Sequence, residues 1–178
     1  MLKKNIISMT LYEALWYFLI YACGGWLIEE TYVFLASGEL VKRGFLHGPI
    51  CPIYGFGMLI VILALTPIRK RLFPLFVGAV LLTSLLEYCT GYVMEHLFNQ
   101  RWWDYTGMPY NLDGYICLKF SLTWGALCVL IVRILHPRVK ERVQKITYKR
   151  GRKILAVAYA VLAVDLVSTL ASLVLKSK

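Results

Sequence analysis

Charge is scarce in this chain. Only 17% of its 178 residues are Asp, Glu, Lys or Arg, whereas a soluble domain carries about 25%, so the water-facing surface of a soluble globule is missing. Metal-ligand patterns are missing too. The five cysteines, Cys23, Cys51, Cys89, Cys117 and Cys128, have no CxxC spacing and no cluster of histidines beside them, which leaves no basis for a zinc site. There is no GxxxxGK[ST] loop, so any ATP hydrolysis would belong to a separate subunit. A secretory leader is not indicated, because the apolar stretch from Leu11 to Ile28 is long and lacks a small-x-small cleavage site; the first span is expected to stay as an anchor. Nothing in the residues calls for a cofactor.

Apolar sequence is what the chain has in abundance, with 59% hydrophobic residues and a mean hydropathy of +0.63. A helix needs roughly 20 mostly apolar residues to cross about 30 Å of hydrocarbon. Runs of that kind lie at about 11–36, 50–67, 73–97, 115–136 and 154–175, each ended by charges, prolines or glycines. Backbone groups in lipid must satisfy one another, and without the alternation of barrel strands only helices do so here. The predicted fold class is therefore all-α, a polytopic membrane helix bundle with about five transmembrane helices, expected to form one integral membrane domain over residues 1–178.

Charge sign orients the bundle. When connections are assigned alternately to two sides, one side receives Lys3, Lys4, the Arg69–Arg71 cluster and the dense basic run from Arg133 to Lys153, while the other receives Lys42, Arg43, Arg101, Lys119, Lys176 and Lys178. Basic loops are retained in the cytoplasm, so the N-terminus is expected inside. Acids distribute oppositely: Glu29, Glu30, Glu39, Glu87, Glu95, Asp104 and Asp113 all fall in the outer half. The net charge of +10 is broken up by apolar spans instead of forming a continuous basic face, which points to lipid headgroups and away from nucleic acid.

Several constellations on the outer side carry potential chemistry. The connection Arg43-Gly-Phe-Leu-His47-Gly-Pro-Ile-Cys51-Pro-Ile-Tyr54-Gly55 is rich in glycine and proline yet too apolar for a solvent loop. It reads as a re-entrant, cavity-lining segment, or as a tight outer turn whose Pro52 opens the second helix. Glu29 and Glu30 are adjacent near the outer end of the first span, and Glu87, Gly91 and Glu95 form one stripe on the third. A carboxylate at membrane depth costs roughly 2.5–3.5 kcal/mol, so Glu87 should face the bundle and have a partner, with Arg43, Arg101 and Lys119 the cations available. These acids would either line an outward-opening pocket for a cationic group or proton relay, or form structural ion pairs that fix helix register.

Residues Gln100, Arg101, Trp102, Trp103, Asp104 and Tyr105, followed by Tyr110, Asn111 and Asp113, read as an interfacial aromatic belt or as a lid over that pocket. Aromatic faces beside carboxylates suit an ammonium or guanidinium group. His47 and His96 could pass protons or ligate a metal with Glu95, but lone histidines without ligand spacing are more often interface residues. An oxidised Cys51–Cys117 pair is conceivable in an outer compartment. On the inner side, Pro137 to Lys153 places Val139, Val143 and Ile146 on one face among basic residues, as in a surface helix lying on anionic lipid. Ala156, Ala160, Ala163 and Ser168 offer the last span a small-residue packing face, with Asp165 as its one costly residue.

At GGWLIEE, RGFLHGPICPIYGFG and EYCTGYVMEHLFNQRWWDYTGMPYNLDGYICLKFSLTWG, the chain resembles the bacterial membrane family of ABC transporter type IV permeases, the CmpB-like integral membrane proteins. The resemblance runs from about residue 14 to residue 136. It implies a multi-pass permease subunit in the bacterial cell membrane, served by a cytoplasmic ATPase, and supplies neither substrate nor catalytic residues. Three function classes stay open from the residues: a transport-associated subunit with an outward-facing polar pocket, a small membrane-embedded enzyme acting on a lipid-linked or cell-envelope substrate, with Glu87 or Glu29 as base and Arg43 holding a phosphate, and a scaffold whose polar groups only specify packing. A homo-oligomer is compatible with each.

Overall fold

The computed structural model describes residues 9–39 and 44–176. Six α-helices carry the chain: α1 (Leu11–Ser37), α2 (Pro52–Leu65), α3 (Leu72–Phe98), α4 (Leu118–Leu130), α5 (His136–Gln144) and α6 (Tyr148–Lys176). Four helical stretches, Leu11–Ser37, Leu72–Phe98, Leu118–Gln144 and Tyr148–Leu173, are long and apolar enough to cross a membrane; Pro52–Ile68 is shorter. This is a membrane protein. The second predicted span is the short one, because the helix tightens into a 3-10 turn over Thr66–Ile68 where Pro67 removes an amide. The end carrying residues 44–51 and 99–117 is called the outer end below, and the opposite end the inner.

Local chemistry sets the helix ends. At the start of α1 the Thr10 hydroxyl accepts from the Glu13 amide while the Glu13 carboxylate accepts from the Thr10 amide, a reciprocal capping box. Helix α1 stops at Gly38, whose φ of 75° closes the last turn. Pro52 sits in the first turn of α2, where its missing N–H costs nothing. Helix α4 passes into α5 through a π turn over Ile131–Leu135. Pro137 would clash with the carbonyl four residues earlier, and the widened turn absorbs that conflict without ending the helix.

The expected surface helix over 137–153 is therefore not a separate element. Its first part, α5, extends the fourth span into the bundle, with Val143 buried at 2% exposure, and its last part is the first turn of α6. Packing won over lipid contact because Val139 and Val143 join the cluster that Tyr17, Val61, Leu75 and Val132 build at the inner half. A second cluster docks α6 on α1 through Leu155, Phe18, Leu19 and Ala22, assisted by the Tyr159 hydroxyl donating to the Leu15 carbonyl at 3.0 Å. The small-residue face expected to pack points the other way: Ala156, Ala160, Ala163 and Ser168 are exposed, and the larger Leu155, Tyr159 and Leu162 make the contact. The remaining surfaces of α3 and α6, with Leu81, Leu85, Val157, Val161 and Val164 all exposed, suit hydrocarbon, where apolar exposure has no cost.

Helices α1 and α2 approach through a reciprocal glycine exchange. A Cβ on Gly25 would lie 2.3 Å from the Tyr54 ring, and one on Gly55 would lie 2.7 Å from the Phe18 ring and 2.9 Å from the Phe18 carbonyl oxygen. Each helix thus seats an aromatic ring of the other in the space of a missing side chain. That exchange places Tyr54 deep against α1, and the outer cluster follows from it.

Candidate functional site

Five elements each send one side chain to a common point in the outer half: Glu29 from α1, Tyr54 from α2, Glu87 from α3, Tyr105 from the 99–117 segment and Trp124 from α4. The Tyr54 hydroxyl donates to Glu29 Oε2 at 2.9 Å, and the Tyr105 hydroxyl donates to Glu87 Oε1 at 3.0 Å. The Trp124 indole lies beside Glu87, and its ring lies 5.5 Å from that of Tyr54. Tyr105 stacks on Phe120 at 4.9 Å. The second oxygen of Glu87, Oε2, is buried without a hydrogen-bond partner among the described residues.

Glu87 therefore faces the bundle as its burial cost requires, but its partners differ from those expected. Arg101 is engaged elsewhere, Lys119 lies over the Phe120 ring at 5.6 Å, and Arg43 falls outside the described residues. Among the described residues, a tyrosine hydroxyl donates to each acid, Tyr54 to Glu29 and Tyr105 to Glu87. Sequence reading missed Trp124 and Phe120. The signal was present, since an indole N–H within an apolar span needs an acceptor and Glu87 is the costly acceptor one helix away.

Glu95 belongs to a second, rim cluster. Its Oε2 accepts from Arg101 Nε at 2.7 Å and from the Tyr115 hydroxyl at 2.7 Å, and the guanidinium lies 4.9 Å from the Tyr115 ring centre. The glycine gap between Glu87 and Glu95 has a definite use. A Cβ on Gly91 would lie 2.9 Å from Tyr115 and 3.1 Å from Trp103, so the missing side chain lets the 99–117 segment settle onto α3. Glu95 is thus ion-paired with Arg101.

The 99–117 segment is a self-bonded cap. Trp103 Nε1 donates to the Tyr115 carbonyl at 2.9 Å, and Asn111 bonds the Thr106 and Met108 carbonyls and the Gly114 amide. A short hairpin pairs Asn111 with Cys117 and Leu112 with Ile116. Trp102 packs with Phe98 and Phe45, each at 5.7 Å. Asn111, Trp102 and Trp103 thus build the cap, while Tyr105 reaches through it to Glu87. Burial and the Glu87 charge push the Tyr105 hydroxyl up, which keeps it a donor.

Asp104 accepts from both the hydroxyl and the amide of Thr106 and from Arg101 Nη1 at 3.4 Å. The Thr106 hydroxyl bond, then its amide bond, hold the Asp104 carboxyl below its ordinary range. A carboxyl depressed by folding stabilises above its unfolded pKa, and that contribution fades as pH falls through the folded value. The cap should thus stay closed on acidification to about pH 4, the ordinary Asp value, and loosen only below it. Tryptophan emission followed through an acid titration checks this, and a transition well above pH 4 that Asp104→Asn leaves unmoved would contradict it.

His47 lies apart from both acid clusters. The His47 and Gly48 amides donate to the two oxygens of Asp165 on α6 at 3.0 and 2.9 Å. His47 Nδ1 lies 3.2 Å from Asp165 Oδ1 and 2.6 Å from the Thr169 hydroxyl. Among the described residues these contacts fall on one ring nitrogen, whereas a catalytic triad uses both. Partnership of His47 or His96 with Glu95 is not formed, since His96 bonds the Tyr92 carbonyl at 2.8 Å. Glu30 is half-buried next to Glu29 on α1. Cys51 and Cys117 are both buried free thiols.

Residues 44–51 carry no helix but are anchored by Asp165 and by the Cys51 amide, which donates to the Ala22 carbonyl at 3.1 Å. Leu46 is 1% exposed. Pro52 opens α2, as the turn reading expects.

A family model described as "Putative ABC-transporter type IV" matches residues 16–170. The match reaches well past residue 136 into α6. No curated protein and no solved structure matches the chain.

Proposed function

Because the chain belongs to the family described as "Putative ABC-transporter type IV", we propose that it is a permease-type subunit of the bacterial cell membrane whose outer half holds a gated acidic site for a cationic solute. The observation that carries the reading is the pair Glu29 and Glu87, two carboxylates at membrane depth, each held by a tyrosine hydroxyl, with one Glu87 oxygen buried and unpartnered among the described residues. A packing device would be expected to satisfy that oxygen. An ammonium or guanidinium group would meet it, and the rings of Tyr54, Tyr105 and Trp124 offer the faces that attract such a cation.

In this reading the 99–117 cap is the gate, since Tyr105 must leave Glu87 for a solute to enter. Movement of a preformed cap on rigid helices is a common form of gating. The basic inner connections would face the cytoplasm, where an ATP-hydrolysing partner docks; the chain lacks a nucleotide loop of its own.

The test is binding of tetramethylammonium and guanidinium to the detergent-purified protein, read by tryptophan emission with Trp124→Phe as the control. Glu87→Gln is expected to weaken binding about tenfold or more, as loss of a charge-assisted contact does. If neither cation binds the native protein, or if both bind Glu87→Gln as tightly, the acidic site has no such role.

A further inference from the structure

A cavity of about 160 Å³ lies at the inner end, away from the acidic cluster, between α1, the α2 terminus and α5. One water needs roughly 10–15 Å³ on the same kind of measure, so this space holds a group much larger than a single solvent molecule. Its polar lining is Glu13, Tyr17, Thr66, Arg69, His136 and Lys140.

Charge in this lining is unbalanced in a specific way. Both oxygens of Glu13 are already used, Oε2 by the Thr10 amide and hydroxyl at 3.0 and 3.1 Å, and Oε1 by Gln144 at 3.0 Å. Arg69 and Lys140 have no ion-pair partner among the described residues. Tyr17, 2% exposed, and Thr66 each carry a buried hydroxyl with no partner among the described residues. His136 is 6% exposed, and its Nδ1 is fixed by the Tyr21 hydroxyl at 2.9 Å. Two unpaired cations beside unpaired hydroxyl donors are the complement of a phosphate.

The rest of the wall is apolar, formed by Met9, Ile62, Leu63 and Pro137. Free phosphate has no use for such a wall, whereas a lipid presents a phosphate with hydrocarbon attached. The position agrees, since the basic end of a bundle lies at the anionic leaflet.

We propose that this inner cavity binds the phosphate of an anionic phospholipid, with Arg69 and Lys140 on the phosphate and the Met9, Ile62 and Leu63 wall against the glycerol and upper acyl chain. The site is independent of the outer acids. It would tie the α2 terminus to α5 through one lipid, at the place where the short second span leaves the bundle.

Native mass spectrometry of the full chain in detergent, titrated with phosphatidylglycerol, phosphatidylcholine or inorganic phosphate, tests this. Phosphatidylglycerol is expected to bind the native protein about tenfold more tightly than phosphatidylcholine. The pair R69Q and K140Q should lose that preference, a fall of about tenfold in phosphatidylglycerol affinity. Substituting the exposed Lys149 and Arg150 by glutamine should leave it unchanged. Should the double variant not fold, K140Q alone carries the comparison. Equal binding of the two lipids, retention by R69Q/K140Q, or equal loss in the Lys149 and Arg150 variants would overturn the site. Inorganic phosphate binding alone and displacing the lipid would overturn the lipid assignment.

Discussion

Replacing Gly55 with valine is expected to lower the stability of the detergent-solubilised protein by about 3 kcal/mol, the upper end of what overpacking costs. Even the first added carbon would sit 2.7 Å from the Phe18 ring and 2.9 Å from the Phe18 carbonyl oxygen. The ring can turn aside, but the carbonyl is fixed in α1, so the helices must separate. Separation would also lift Tyr54 from the groove over Gly25 and so weaken its bond to Glu29. The prediction is therefore a lowered unfolding midpoint together with altered emission from Trp124, which packs on Tyr54. Gly24→Ala, a change into open space on α1, is the control and should alter neither. An unchanged midpoint in Gly55→Val would show that α1 and α2 do not cross this closely.

Asp165→Ala is expected to cost roughly 2–3 kcal/mol, because it leaves the part-buried Gly48 amide and the more exposed His47 amide without their acceptor, a lost hydrogen bond to a charged group costing about 1.5–3 kcal/mol. Lipid cannot replace a lost acceptor as water would. Asp165→Asn keeps the shape and one acceptor oxygen, so its cost should be about half. The consequence should be local as well as global: residues 44–50 depend on this carboxylate for their hold on α6. Amide hydrogen exchange should rise at residues 44–50 in Asp165→Ala and stay near native at the inner ends of the helices. Equal protection in both variants would mean that the connection is held by Leu46 and Cys51 packing alone.

These two changes act on different supports of the same region. Gly55 sets the depth of Tyr54, and Asp165 fixes the connection that leads into α2. The outer acids themselves need not be touched for the site to be disturbed.

The spans and the positions of the costly carboxylates were legible because hydrocarbon imposes simple rules on composition. An apolar run of sufficient length must be a helix, and an acid within it must turn inward. The partners of those acids were not legible. For Glu87, choosing between Arg101 and Lys119 by charge alone overlooked that a tyrosine hydroxyl reaches a carboxylate without the desolvation cost of burying a second ion. Asp165 was correctly marked as expensive, yet no periodicity could show that two backbone amides from residues 47 and 48 would neutralise it.

By itself the sequence determined that this is a helical membrane protein, where the helices run and which residues could not face lipid, since each of these follows from transfer of single residues between water and oil. Only the tertiary structure decided that Glu95 pairs with Arg101 while Glu87 does not, that α5 joins the core instead of lying on the surface, and that α6 turns its small residues outward. Those outcomes depend on which surfaces meet at close range, and the meeting of Gly25 with Tyr54 or Gly91 with Tyr115 is a property of distances that no single segment contains.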